Sequence, residues 1–258
     1  MFRLPIAVAA ALILAAPVQA RDNVLSFSLT GGAQSLPRYL GSSDQRVAPW
    51  IGFGFQGLRL GNFELGTPDS QDAFAPGAGL RGAFSVLAAR DGKGTLAGMN
   101  DVRAGVELGL GAHYTARDWQ VFGEVRRGFR AHTGLAGEVG ANLILRPAEG
   151  LTLHGGPRAS FGSSRFAQTY FGITAAEATA TSAAGNTGLT AFTPSGGLYA
   201  LGFEIGGYQA IGRDWGVSAN IRYDQLRGDS AASPIVGQGS RDQFTAQIGL
   251  TRHFSLRF

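Results

Sequence analysis

From Val24 onward, apolar side chains return at every second position, with small or polar residues between them. Leu25, Phe27 and Leu29 alternate with Ser26, Ser28 and Thr30. Val106, Leu108, Leu110, Ala112 and Tyr114 alternate with Glu107, Gly109, Gly111 and His113. Near the carboxyl end Phe244, Ala246, Ile248, Leu250, Phe254, Leu256 and Phe258 oppose Gln243, Thr245, Gln247, Gly249, Thr251, His253 and Ser255. A period of two puts successive side chains on opposite faces of a strand, so each stretch predicts a strand with one apolar face. About eleven such segments of roughly 9 to 13 residues follow one another, and nothing between them predicts an amphipathic helix. Short connections at residues 115–118, 146–150 and 212–214 suit neighbouring antiparallel strands. Residues 67–76, 90–100, 163–195 and 228–242 are longer stretches of small, polar and turn-forming residues and predict loops.

A soluble β-sandwich or a lipocalin-like barrel would also alternate, and the charges separate these from a membrane barrel. The chain carries 40 glycines and 17 phenylalanines, no cysteine and a single lysine, Lys93, so arginine supplies nearly all of its positive charge. Arg and Glu ride on the Gly-rich face of the strands, opposite the large apolar residues. Gly beside charge suits a crowded, curved lumen. Arg81, Arg103, Glu107, Glu124, Arg126, Arg130, Glu138, Arg158, Glu204, Arg222 and Asp224 are therefore expected to point inward as one charge network. Interleaved opposite charges either pair and fill a narrow interior or line an anion-preferring pore. Tyr114, Trp119, Phe129, Tyr199, Trp215 and Tyr223 lie near strand ends, where a membrane barrel places its interfacial girdles.

The first twenty residues combine Arg3, an apolar run over residues 6–16 and small residues before Arg21. They predict a cleaved secretory signal peptide over residues 1–20 and one domain over residues 21–258. That run is shorter than the roughly 20 residues a transmembrane helix needs. The fold expected is all-β, a closed antiparallel transmembrane β-barrel. Single-chain bacterial barrels have an even number of strands. The alternation breaks at Gly57 and again near Gly61-Asn62, so residues 58–65 are either a second hairpin arm or a bulged continuation. The count is ten if residues 47–65 are one bulged strand, or twelve if a strand is hidden.

Catalysis is not expected. His253 and Ser255 share a face of the last strand, but they point into the lumen, and no oxyanion-hole pattern accompanies them. His113 and His154 lie on different strands without a carboxylate at ligand spacing, so no metal or other cofactor is expected. No basic cluster is dense enough for nucleic acid.

The last strand, ending on aromatic Phe258, resembles the closing strand of bacterial outer-membrane barrels, where that residue is an assembly signal. Three further blocks resemble the MipA/OmpV family of outer-membrane proteins. They are Tyr39-Leu40-Gly41-Ser42-Ser43-Asp44 with Pro49, Tyr170-Phe171-Gly172-Ile173-Thr174, and the run from Tyr223 to Val236 that includes Ser233-Pro234. The resemblance implies location in the Gram-negative outer membrane, contact with its lipid and its assembly machinery, and a non-enzymatic scaffold role in peptidoglycan synthesis. The implied partners are a lytic transglycosylase and a penicillin-binding protein. Other members are porin-like or adhesive, so a narrow small-solute channel or a surface adhesin is the alternative. The three blocks either fix turn geometry or pack over the barrel mouth and shape access to it.

Overall fold

The structure, a computed structural model, describes residues 23–258; the expected signal peptide lies outside the described residues. The strands are β1 (Val24–Pro37), β2 (Gln45–Leu60), β3 (Phe63–Gly66), β4 (Gly77–Leu87), β5 (Gly105–Thr115), β6 (Trp119–Phe129), β7 (Leu135–Ala148), β8 (Leu151–Gly162), β9 (Gly197–Ile211), β10 (Trp215–Leu226) and β11 (Asp242–Arg257). They form one antiparallel sheet in the order β3-β2-β1-β11-β10-β9-β8-β7-β6-β5-β4. The first and last strands pair from Val24 opposite Arg257 to Ser35 opposite Ala246, and the Phe258 amide donates to the Asn23 carbonyl at 3.1 Å.

The sheet curls until β4 lies beside β2 and β3, giving a nearly closed barrel where a fully closed one was expected. Among the described residues no backbone ladder joins these edges. Phe53 on β2 instead packs over Gly82 on β4, where a Cβ would sit 3.4 Å from its ring. The strand count is eleven, neither ten nor twelve. The extra element is β3, formed because Gly61, at φ +59°, turns the chain back after β2. With only four residues, β3 offers β4 little edge to pair with. The phase break expected near Gly57 is a bulge. Ser26 pairs with Gly57 and Phe27 with Phe55, so Gln56 is left over and turns into the interior, as the extra residue of a bulge does.

Apolar side chains face outward along all the long strands. Leu110 is 68% exposed, Ile205 61% and Ile248 59%. A water-soluble domain rarely shows a contiguous apolar surface beyond a few hundred Å², so this belt is a lipid-facing surface. Tyr114, Trp119, Phe129, Trp215 and Tyr223 are exposed on it. Tyr199 is not. A register shift pairs Ser160 with Ala200 but Phe161 with Leu198, skipping Tyr199 and aiming it inward.

The loops also differ from expectation, because they contain helices. These are α1 (Ser164–Phe171), α2 (Ala175–Ala183), α3 (Gly228–Ala232) and α4 (Pro234–Gly237). Ser163 caps α1 by accepting the Phe166 amide, and Thr174 with Glu177 forms a capping box on α2. Isolated helices this short are marginal. They hold because α1 buries Phe166, Ala167, Tyr170 and Phe171 against the barrel's mouth.

Candidate functional site

The termini, the short turns and the loop over residues 67–76 lie at one end of the barrel and the other long connections at the opposite end. In outer-membrane barrels the end with the termini and short turns is the periplasmic one, and the two ends are called periplasmic and outer on that pattern. Between them the interior is filled in three layers.

The outer layer is a cap built from the loops that follow β1, β4, β8 and β10. Two apolar clusters hold it, one around Phe171, Tyr170 and Val236, the other around Leu96, Ile173 and Ile235. The three sequence blocks, far apart along the chain, meet here. Gly41, at φ +96°, lies so close to Val236 that a Cβ would be 2.6 Å from its Cγ2. The Ser233 hydroxyl donates to the Phe171 carbonyl at 2.7 Å and also caps α4, which begins at Pro234. Tyr39 packs beside Ile173 and Ile235. Ser42 is buried and bonds the Asp44 backbone on both sides, while Gln243 of β11 accepts from the Gly41 amide at 3.0 Å. Gly172 ends α1, and a Cβ there would strike Gln168. These residues set turns and pack over the barrel's mouth.

The middle layer is the charge network. Arg126 Nε donates to Glu107 at 2.9 Å and Nη1 reaches Glu124; Arg81 meets the other Glu124 oxygen at 3.0 Å. On the opposite wall Arg158 bonds Glu204 at 2.9 Å, and Arg222 bridges Glu138 at 2.7 Å and Asp224 at 2.6 Å. Glu124 and Glu138 sit directly opposite each other on β6 and β7. Like charges so placed repel, and each is neutralised by arginines from both sides. Phe122 joins the two halves, with the Arg81 guanidinium 4.2 Å from its ring centroid and that of Arg158 5.1 Å away. Gly140 makes room for this sandwich, since a Cβ there would lie 2.7 Å from the Phe122 ring. Four guanidiniums thus meet five carboxylates, which leaves no ring of free arginine for anions.

Arg103 and Arg130 do not belong to this layer. Both lie past strand ends on the exposed rim, because the inward alternation stops with β5 and β6. Arg130, at φ +71°, is the one non-Gly residue with positive φ among the described residues and turns the chain off the barrel wall. His132, which the strand pattern passes over, takes the interior position. Its side chain is fully buried, Nε2 lies 2.9 Å from Glu107 and Nδ1 accepts from the Gly134 amide. That pairing puts the imidazole proton on Nε2. A connection too short to show periodicity hid it, and the only signal was a His inside a Gly-flanked turn.

The inner layer is the loop over residues 67–76, which folds across the periplasmic mouth. Ser26 of β1 donates to the Pro68 carbonyl, Gln71 reaches Asp214 in the β9–β10 turn, and Arg146 of β7 holds Asp72 at 2.9 Å. Phe74 enters the lumen and packs on His154, ring centroids 4.8 Å apart. His253 pairs with the Tyr208 hydroxyl at 3.0 Å, while the contact to Ser255 comes from Ser26 at 3.5 Å. The Ser255 and His253 side chains are thus engaged separately.

A family model described as MltA-interacting protein MipA matches residues 29–254. Among solved structures, Ail, the attachment invasion locus protein of Yersinia pestis, is 14% identical, with 91% of this chain and 100% of that chain covered, at a TM-score of 0.30. The outer membrane protein OprD from Pseudomonas aeruginosa is 13% identical over 90% of this chain and 66% of its own, at a TM-score of 0.33. Neisserial surface protein A is 9% identical over 92% and 97%, at a TM-score of 0.29. Likenesses this distant add nothing to the registers described above. No curated protein matches the chain. The family match spans the barrel from β1 to β11 and takes in all three blocks that lock the cap, and on that match the chain belongs to the MltA-interacting protein MipA family.

Proposed function

We propose that this protein is a non-enzymatic, non-conducting barrel of the Gram-negative outer membrane that tethers peptidoglycan-synthesis machinery to that membrane. The observation that carries the reading is an interior crossed at three levels, by an apolar cap, a charge-paired septum and a loop across the periplasmic mouth. A channel needs a continuous wet path, and three layers of side chains across the lumen argue against one. The apolar exterior supports the membrane location, and the family's name supports a lytic transglycosylase as one partner. A penicillin-binding protein is the second, carried by the resemblance. The periplasmic face that would meet them is made of the turns at residues 116–118, 149–150 and 212–214 and the mouth-crossing loop.

Photo-crosslinkers placed at Arg117, Glu149 and Arg213 test this in cells. Capture of a murein synthase or transglycosylase is expected from at least one position; their absence from all three, with normal expression, refutes the tether. Phe258, exposed beyond β11, is assigned to assembly. Its deletion is expected to block membrane insertion while export proceeds. An outer surface role in adhesion would instead require binding that depends on residues 163–195.

A further inference from the structure

Between the cap and the septum lies a chamber of about 230 Å³. Its wall is largely apolar, with Leu36, Leu87, Phe166 and Tyr199 among its residues, yet five arginines also border it: Arg38, Arg46, Arg90, Arg126 and Arg222. Only two carboxylates do, Glu107 and Asp224, and both are engaged, the first by Arg126 and His132, the second by Arg222. Arg126 and Arg222 are already matched by the carboxylates of the septum, which leaves Arg38, Arg46 and Arg90 as the other positive groups bordering the chamber. Arg46 and Arg90 make no ion pair among the described residues.

Three residues of this wall each carry a buried donor without a hydrogen-bond partner: Arg46 Nε, Arg90 Nε and the Tyr170 hydroxyl. Arg90 and Tyr170 are each only 5% exposed. A buried polar group without a partner costs on the order of 1–3 kcal/mol, more if charged, and native structures leave few of them. Arg90 is held rigidly. Its backbone pairs with Val102 in both directions, and its Nη1 donates to the Tyr170 carbonyl at 2.9 Å, which leaves the Nε edge for something else. Burial penalises the charge of this guanidinium, which Glu177 offsets only in part, and a carboxylate beside it would relieve that penalty.

We infer that the chamber is a binding site for a small amphiphilic anion, a monocarboxylate carrying an apolar ring or short chain. The carboxylate takes the free edge of Arg90, with Arg46 and the Tyr170 hydroxyl as further donors, because a planar guanidinium edge matches a carboxylate in two parallel hydrogen bonds. The apolar part lies against Leu36, Leu87 and Phe166. The volume fits such a molecule. It exceeds the roughly 150 Å³ cavity that takes up benzene and falls below the roughly 300 Å³ at which drug-sized pockets begin. This site is independent of any periplasmic partner and stands whether or not the tether does.

The test is calorimetric titration of the full-length barrel in non-ionic detergent with benzoate and hexanoate, using benzamide and benzylammonium as neutral and cationic counterparts. Saturable one-to-one binding of the carboxylates and none of the counterparts is expected. Tyr170→Phe removes one donor and keeps the ring that packs the cap, so it should fold and bind at least threefold more weakly. Arg90→Gln is expected to weaken binding at least tenfold, and Arg46→Gln, at the half-buried start of β2, offers a variant that spares the cap. Equal uptake of benzoate and benzamide, no uptake, or carboxylate affinity unchanged in folded Tyr170→Phe and Arg46→Gln would each overturn the assignment, the chamber then holding water alone.

Discussion

The two ends of this barrel are closed by different physics. The outer cap is a small hydrophobic core in its own right, with Phe171 and Ile235 completely buried and the Ser233 hydroxyl locking two helices together. The periplasmic loop over residues 67–76 buries only Pro68 and half-buries Phe74. Apart from the Ser26–Pro68 hydrogen bond it is tied by contacts between partly exposed polar groups, such as Arg146 with Asp72 and Arg59 with Asp69. Apolar burial stabilises by about 25 cal/mol per Å², whereas exposed ion pairs contribute roughly 0–1 kcal/mol each. The cap is therefore the fixed end and the loop the labile end. In the proposed orientation the labile end is the one turned to the periplasm.

The largest effect should come from breaking the cap. Phe171→Ala removes a side chain with no exposure and is expected to cost about 3–5 kcal/mol, read as a lower denaturant midpoint in micelles. Ser233→Ala is next. It leaves the buried Phe171 carbonyl without its donor and uncaps α4, a loss of about 1–3 kcal/mol. If either variant matches the wild type, the cap is not the fixed end.

Acid should loosen the same end. Burial alone would raise the Glu177 carboxyl, but hydrogen bonds from Thr174 and Asn100 hold it below its ordinary 4.5. The unfolded chain therefore protonates first. The stabilisation is complete above about pH 4.5 and is lost as pH falls through the depressed folded value. Unfolding midpoints measured across that range should drop, and Glu177→Gln should flatten the slope. The smallest energetic effect belongs to the loop. Arg146→Ala is expected to cost less than about 1 kcal/mol while accelerating hydrogen exchange across residues 67–76 and leaving that of α1 unchanged. Equal acceleration at both ends would erase the distinction.

The strands were legible in the sequence because their period is set by the backbone alone, and a lipid-facing belt demands strict alternation. Glu107 and Arg126 fell inside long, regular stretches, so their inward direction could be read. Arg103 and Arg130 stood one or two residues past the strands, where alternation no longer applies. Gly61-Asn62 marked the turn into β3, and a hairpin arm was one of two readings there, but four residues carry too few periods to choose it over a bulged continuation. The helices were hidden for a related reason. α2 is an Ala- and Thr-rich segment held by tertiary contacts, and only Thr174 and Glu177, at capping-box spacing, announced it. Tyr199 and Gln56 were re-aimed by bulges, which depend on the partner strand's register.

The most direct measurement is single-channel recording of the purified barrel in planar bilayers. With the cap and the septum both in place, the wild type is expected to show no steady unit conductance, and deleting residues 68–75 should leave it silent, because the labile end is not the only seal. A stable ohmic step from the wild-type barrel, changing in selectivity when Arg126 or Arg222 is neutralised, would contradict the sealed interior and make the protein a channel.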